Sequence, residues 1–130
     1  MKKHLLPAFC LLMVVLLVSF CKKVNDRNAN LLGKWQGTSW LIEGKDSGMD
    51  ASVVHFEFND DGNYTAQKGD GYSDFGVWRT DGNKLYTTAQ GKEEMVVKLL
   101  QYDGQKLSFE MNRGGQIEVL SLGKDRKSVV

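Results

Sequence analysis

Few residues of this 130-residue chain have the types and spacing that chemistry requires. His55 lies two positions before Glu57, but a general base or a metal ligand needs partners, and no cysteine or second histidine falls nearby. No Ser-His-Asp set stands out, and His55 reads as a surface histidine. Asn59-Asp60-Asp61-Gly62-Asn63 and Gly69-Asp70-Gly71-Tyr72-Ser73-Asp74 are rich in oxygen ligands. Neither has the offsets or the downstream bidentate Glu of a calcium loop, and turns select Asp, Asn and Gly for backbone reasons. Glu93-Glu94 is a carboxylate pair, but adjacent strand residues point to opposite faces. The expectation is a protein with no catalytic residues, no metal site and no cofactor.

The elements that would position a site are strands. Fourteen glycines against one proline predict many tight turns, and no segment shows sustained helical periodicity. About eight β-rich runs follow one another: Leu32–Ile42, Ser52–Phe58, Tyr64–Gln67, Phe75–Thr80, Leu85–Thr88, Met95–Tyr102, Leu107–Met111 and Ile117–Leu122. Three-residue loops ending in glycine predict the registers. Asp60-Asp61-Gly62 pairs Phe58 with Tyr64 and Phe56 with Ala66. Tyr102-Asp103-Gly104 sets Leu99 opposite Leu107, Val97 opposite Phe109 and Met95 opposite Met111. Arg113-Gly114-Gly115 sets Met111 opposite Ile117 and Phe109 opposite Val119. At Asp81-Gly82 a two-residue turn pairs Trp78 with Leu85 and a three-residue turn pairs Val77 with Leu85, and periodicity does not choose.

Consecutive hairpins with one apolar face must cover that face, and closure of about eight strands on themselves does so without leaving edges. The expected fold is all-β, an antiparallel up-and-down barrel. Its interior would be lined by Phe56, Phe58, Tyr64, Trp78, Leu85, Val97, Leu99, Phe109 and Met111, either as a filled core or as the wall of a ligand site with Trp78, Tyr64 and Phe109 as anchors.

Ahead of the strands, Met1-Lys2-Lys3-His4 is a basic start, and the run from Leu5 to Phe20 is apolar except for Ser19. About sixteen residues is short for a membrane span and suited to a signal-peptide core. Val18-Ser19-Phe20-Cys21 resembles the lipobox of bacterial lipoproteins, with Phe20 standing where Gly, Ala or Ser is usual. The resemblance implies cleavage before Cys21 and acylation of that cysteine. Loss of Lys2 and Lys3 takes the formal charge from +1 to −1, leaving no basic stripe for nucleic acid. Cys10 would leave with the signal, so no disulfide is expected.

Gly33-Lys34-Trp35 at the first strand resembles the Gly-x-Trp opening of lipocalins, whose tryptophan packs across the closed end of an eight-stranded barrel. Gly76-Val77-Trp78 with Asp81-Gly82-Asn83-Lys84-Leu85 is similar to the fourth-to-fifth-strand hairpin of bacterial lipocalin-like lipoproteins, which favours the two-residue turn. Lipocalins often carry an arginine after the last strand that covers the Gly-x-Trp tryptophan, and Lys124 and Arg126 are the candidates here. The expected organisation is a signal peptide over 1–20, a lipidated Cys21 and tether over 21–30, a lipocalin-like barrel over 31–123 with Gly33 and Trp35 at its closed end, and a tail over 124–130. The expected protein is a monomer anchored to the cell envelope through Cys21, with the outer membrane favoured by the absence of an aspartate after the cysteine. It would bind a small apolar or amphipathic ligand in the barrel. The alternative is a solid-core interaction module that uses its outer surface, around Trp40 and Tyr72, against an envelope protein or a glycan.

Overall fold

Alternation of apolar and polar residues along short runs, each ended by a glycine-bearing turn, yields one sheet of nine antiparallel strands. The computed structural model describes residues 26–69 and 71–125; the apolar run, Cys21, Asp70 and Arg126 lie outside them. The strands are β1 (Gly33–Ile42), β2 (Lys45–Asp46), β3 (Val54–Phe58), β4 (Asn63–Lys68), β5 (Ser73–Asp81), β6 (Lys84–Ala89), β7 (Glu94–Tyr102), β8 (Lys106–Arg113) and β9 (Gln116–Lys124). The order is β2-β1-β3-β4-β5-β6-β7-β8-β9, and β1 also pairs with β9. That last ladder closes β1 and β3–β9 into an eight-stranded barrel, as expected, with β2 as a two-residue appendage at one end.

The first hairpin has the expected register, Phe58 opposite Tyr64 and Phe56 opposite Ala66. The β5–β6 hairpin turns in two residues, Gly82-Asn83, but neither expected pairing forms: Thr80 lies opposite Leu85 and Trp78 opposite Thr87, with Trp78 and Leu85 both facing inward. At β7–β8 the pairing differs from expectation. Asp103 accepts hydrogen bonds from the backbone N–H of Gln105 (2.9 Å) and Lys106 (2.8 Å), which lengthens the turn. Tyr102 then pairs with Leu107 and Leu99 with Phe109, and a bulge at Leu100 absorbs the extra residue and keeps Leu99 inside.

The β8–β9 hairpin overturns the expected face of β9. Gly114 and Gly115 both take positive φ, 61° and 89°, as a two-residue type I′ turn requires. Arg113 therefore pairs with Gln116, Met111 with Glu118 and Phe109 with Leu120. The shift of one residue sends Ile117 and Val119 outward and brings Glu118, Leu120 and Leu122 inside.

One end of the barrel is filled. Trp35, Phe58, Trp78, Leu31 and Leu107 are each at most 1% exposed there. Trp78 packs on Phe58 at 5.2 Å between ring centroids, and its indole N–H donates to the Asn59 carbonyl at 2.9 Å. Residues 26–32, most of them expected as tether, form a lid over this end. The Thr80 N–H donates to the Asp26 carbonyl (2.7 Å), the Asn28 N–H to the Thr80 hydroxyl (2.8 Å), and Arg27 Nε to the Trp78 carbonyl (2.9 Å). A 3₁₀ turn over Ala29–Leu31 then seats Leu31 under Trp35, whose indole N–H donates to the Leu31 carbonyl at 2.8 Å.

Candidate functional site

Large aromatics fill the closed half, but β4 and β6 place alanines in the other half. Ala66 and Ala89 face inward where Tyr64 and Leu85 do further down. The space they leave is a pocket of about 150 Å³. Its wall is Val54 and Phe56 from β3, Tyr64 and Ala66 from β4, Leu85, Thr87 and Ala89 from β6, Met95 and Val97 from β7, Phe109 and Met111 from β8, Leu120 from β9 and Trp40 from β1. Phe56 stands edge-on to Phe109 at 5.7 Å, which fixes two sides of the space.

Of the residues expected inside, Phe56, Tyr64, Leu85, Val97, Phe109 and Met111 line this pocket. Phe58, Trp78 and Leu99 face inward but belong to the packed closed half, so Trp78 is a plug and not an anchor. Trp40, expected on the outer surface, is also inside. It lies opposite Leu120 on the closing ladder, and its indole N–H donates to Glu118 Oε1 at 2.8 Å. Tyr72 is 46% exposed, at the rim.

Charge rings the mouth: Lys68, Asp74, Lys92, Glu93 and Arg113. Lys92 Nζ lies 3.0 Å from Asp74 Oδ1 and also donates to the Tyr72 hydroxyl, which in turn donates to Asp74 Oδ2 at 3.0 Å. Those contacts, the Lys92 hydrogen bond first, hold the Asp74 carboxyl below its ordinary value. Glu118 is 4% exposed and takes Arg113 Nε at 3.4 Å on Oε2. Burial, and then the facing charge of Arg113, lowers the Lys68 ammonium from its usual range. Inside the pocket, burial raises the Tyr64 phenol, which stays neutral as a polar spot in an apolar wall.

Sequence reasoning missed the rim. Lys68 continues the inward row Tyr64–Ala66, and Arg113 continues Phe109–Met111, so strict period two carried to the strand ends identifies both. Glu118 required the correct turn at Gly114-Gly115. Among the described residues no group of three or more His, Cys, Asp or Glu side chains converges.

At the opposite end the Gly-x-Trp motif has a physical reason. Lys124 pairs with Trp35 on the closing ladder, holds its ammonium 4.6 Å from the indole ring centroid and donates to the Leu32 carbonyl. Gly33 has φ of 112°, and a Cβ there would lie 2.7 Å from Lys124 Nζ, so a side chain would push the lysine off the ring. Lys124, read as the start of a tail, is the last residue of β9 and takes the place of the covering arginine.

The lipocalin-like domain family model matches residues 31–109. The chain belongs to the lipocalin-like domain family. Its fold is shared with a lipocalin-like protein from Bacteroides uniformis at 16% identity and a TM-score of 0.59, over 75% of this chain and 100% of the other. An uncharacterized protein from Bacteroides eggerthii matches at 14% identity and a TM-score of 0.54, over 70% of this chain and 98% of the other. Curated proteins offer no significant match. Within this lipocalin-like chain the family match ends at Phe109, so the basic rim residue Arg113 and the inward Glu118 fall beyond it.

Proposed function

We propose that this lipocalin-like protein binds the apolar part of a small amphipathic ligand in the open half of its barrel. The observation that carries the reading is the pocket of about 150 Å³, apolar on almost every side and opening at a charged rim. An apolar space of about this volume admits a benzene-sized group. It lies below the roughly 300–1,000 Å³ of sites that engulf a drug-sized ligand, so a ring or a short chain enters while the polar part stays at the mouth. Calorimetry with n-alkanols of increasing length tests this. Affinity should rise about threefold to fourfold per methylene, from about 0.8 kcal/mol each, and level off once the pocket is full. Ala89→Leu should weaken the series by filling the space; alkanols that bind no better to the wild-type protein than to A89L would refute the reading.

Anchoring through an acylated Cys21 is part of the same proposal and rests on the basic start, the apolar run and the cysteine that ends it. We place the protein in the cell envelope, with the outer membrane favoured by the lack of an aspartate after Cys21. Metabolic labelling with an alkyne-tagged fatty acid should mark the wild-type protein and not Cys21→Ala.

A second reading, an interaction module, is favoured by an outward apolar strip. Phe75 (59% exposed) and Val77 (53%) on β5 adjoin Thr88 and Tyr86 on β6 and Val96 (55%) on β7. Under that reading Val77→Lys abolishes cross-linking to an envelope partner and leaves alkanol binding unchanged.

A further inference from the structure

The mouth is asymmetric in what it has left to offer a ligand. Both inward carboxylates are already served by two donors each: Asp74 by Tyr72 and Lys92, Glu118 by Trp40 and Arg113. The cations are not used up. Lys68 makes no ion pair among the described residues; its ammonium lies 5.8 Å from the Tyr72 ring centroid and feels the Asp74 carboxylate only at longer range. Arg113 spends Nε on Glu118, and its two terminal nitrogens have no described acceptor. Glu93 is exposed on the β6–β7 loop and pairs with neither among the described residues. A lysine has three donors and an arginine five, with no acceptor on either, so apart from the exposed Glu93 carboxylate the spare capacity at the mouth is donor and positive.

Position sharpens the point. Lys68 and Arg113 end the inward rows Tyr64–Ala66–Lys68 and Phe109–Met111–Arg113, where apolar wall meets water. Glu118 is buried and pinned by Trp40, so it orients Arg113 instead of competing for ligand. Building on the apolar-pocket reading above, we propose that Lys68 and Arg113 form a headgroup site, and that the natural ligand is a monoanionic or dianionic amphiphile whose carboxylate or phosphate sits between them. Lys68 is exposed as a residue, but partial desolvation of its ammonium and the facing charge of Arg113 disfavour its charged form, and a bound anion offsets that cost.

Octanoate, octanol and octyl phosphate, each below its aggregation concentration, separate the terms by calorimetry at low salt. The two anions should bind about tenfold more tightly than octanol, and the margin should shrink in high salt. Lys68→Gln should remove most of that margin and leave octanol affinity unchanged. Arg113→Gln should do the same, with Arg113→Lys retaining part of it. A preference for octanoate over octyl phosphate identifies a carboxylate ligand, and the reverse a phosphate ligand; either supports the site. Equal affinity for octanol and the anions, or anion affinity unchanged in K68Q, overturns the headgroup site while leaving the pocket in place. Failure of all three to bind overturns the pocket reading and this site with it.

Discussion

The indole of Trp40 donates to Glu118 at 2.8 Å across the β1–β9 ladder, so the seam that closes the barrel carries a part-buried hydrogen bond between side chains beneath the mouth. Glu118→Ala leaves the Trp40 N–H without its acceptor and Arg113 without its counter-ion. The expected loss is about 1–3 kcal/mol in urea unfolding. Glu118→Gln keeps an acceptor for the indole and should lose less than half as much. Equal losses in the two variants would show that the hydrogen bond is not what the carboxylate contributes.

The Gly114-Gly115 turn provides a second test. A Cβ at either position meets nothing within 4 Å, so any cost of substitution is backbone strain alone. Gly115→Ala should destabilise by about 1–2 kcal/mol, the left-handed penalty for an L-residue. A thermal scan showing no loss would mean that the hairpin changes turn type and register on substitution.

Lys124 covers Trp35 and ties β9 to Leu32. Lys124→Ala removes the cation from the ring and the donor from the carbonyl, for an expected loss of about 1–2 kcal/mol. The variant should also redden tryptophan emission as water reaches the indole. An unchanged spectrum would show that the closed end stays sealed without the lysine.

Acid should weaken the fold through turn carboxylates. Asp103 is held below its ordinary value of 3.8 by the backbone N–H groups of Lys106 and Gln105. A depressed folded value means that the unfolded chain takes up protons first as pH falls. The contribution is therefore complete above about pH 4 and drains away as pH drops through the lowered value. Asp103→Asn keeps the acceptor oxygen but cannot titrate. Its melting temperature between pH 2 and 5 should fall less steeply than that of the wild type, and parallel curves would remove Asp103 from the account.

The barrel was legible in sequence because one physical rule, inward residues at every second position, repeats through hairpins with few alternative covers. Phe58 and Tyr64 found their register because Asp60-Asp61-Gly62 is a loop of the assumed length. Ile117 and Glu118 exchanged faces because a rule of three-residue loops was carried over to Gly114-Gly115, where two adjacent positive-φ glycines specify two residues. The register of β7 with β8 depended on the Asp103 side chain bonding backbone two and three residues ahead, which periodicity does not encode. The site was legible only in its apolar part. Ala66 and Ala89 create the space by being small, and Trp40 turns inward past a bulge between Gly37 and Ser39; neither leaves a mark in an alternation pattern.

The β1–β9 ladder also sets the order in which this chain can become a finished protein. Trp35 and Lys124 are about ninety residues apart in sequence, whereas the other ladders mostly join strands next to each other along the chain. Bringing such distant segments together costs about 4 kcal/mol of chain entropy, up to a constant, so closure is the slowest pairing and the last. A chain still in synthesis can zip β3 to β8 as successive hairpins, but it cannot close until β9 has emerged. Until that moment it carries two open strand edges, and any truncation that removes Gln116–Lys124 makes that aggregation-prone intermediate permanent.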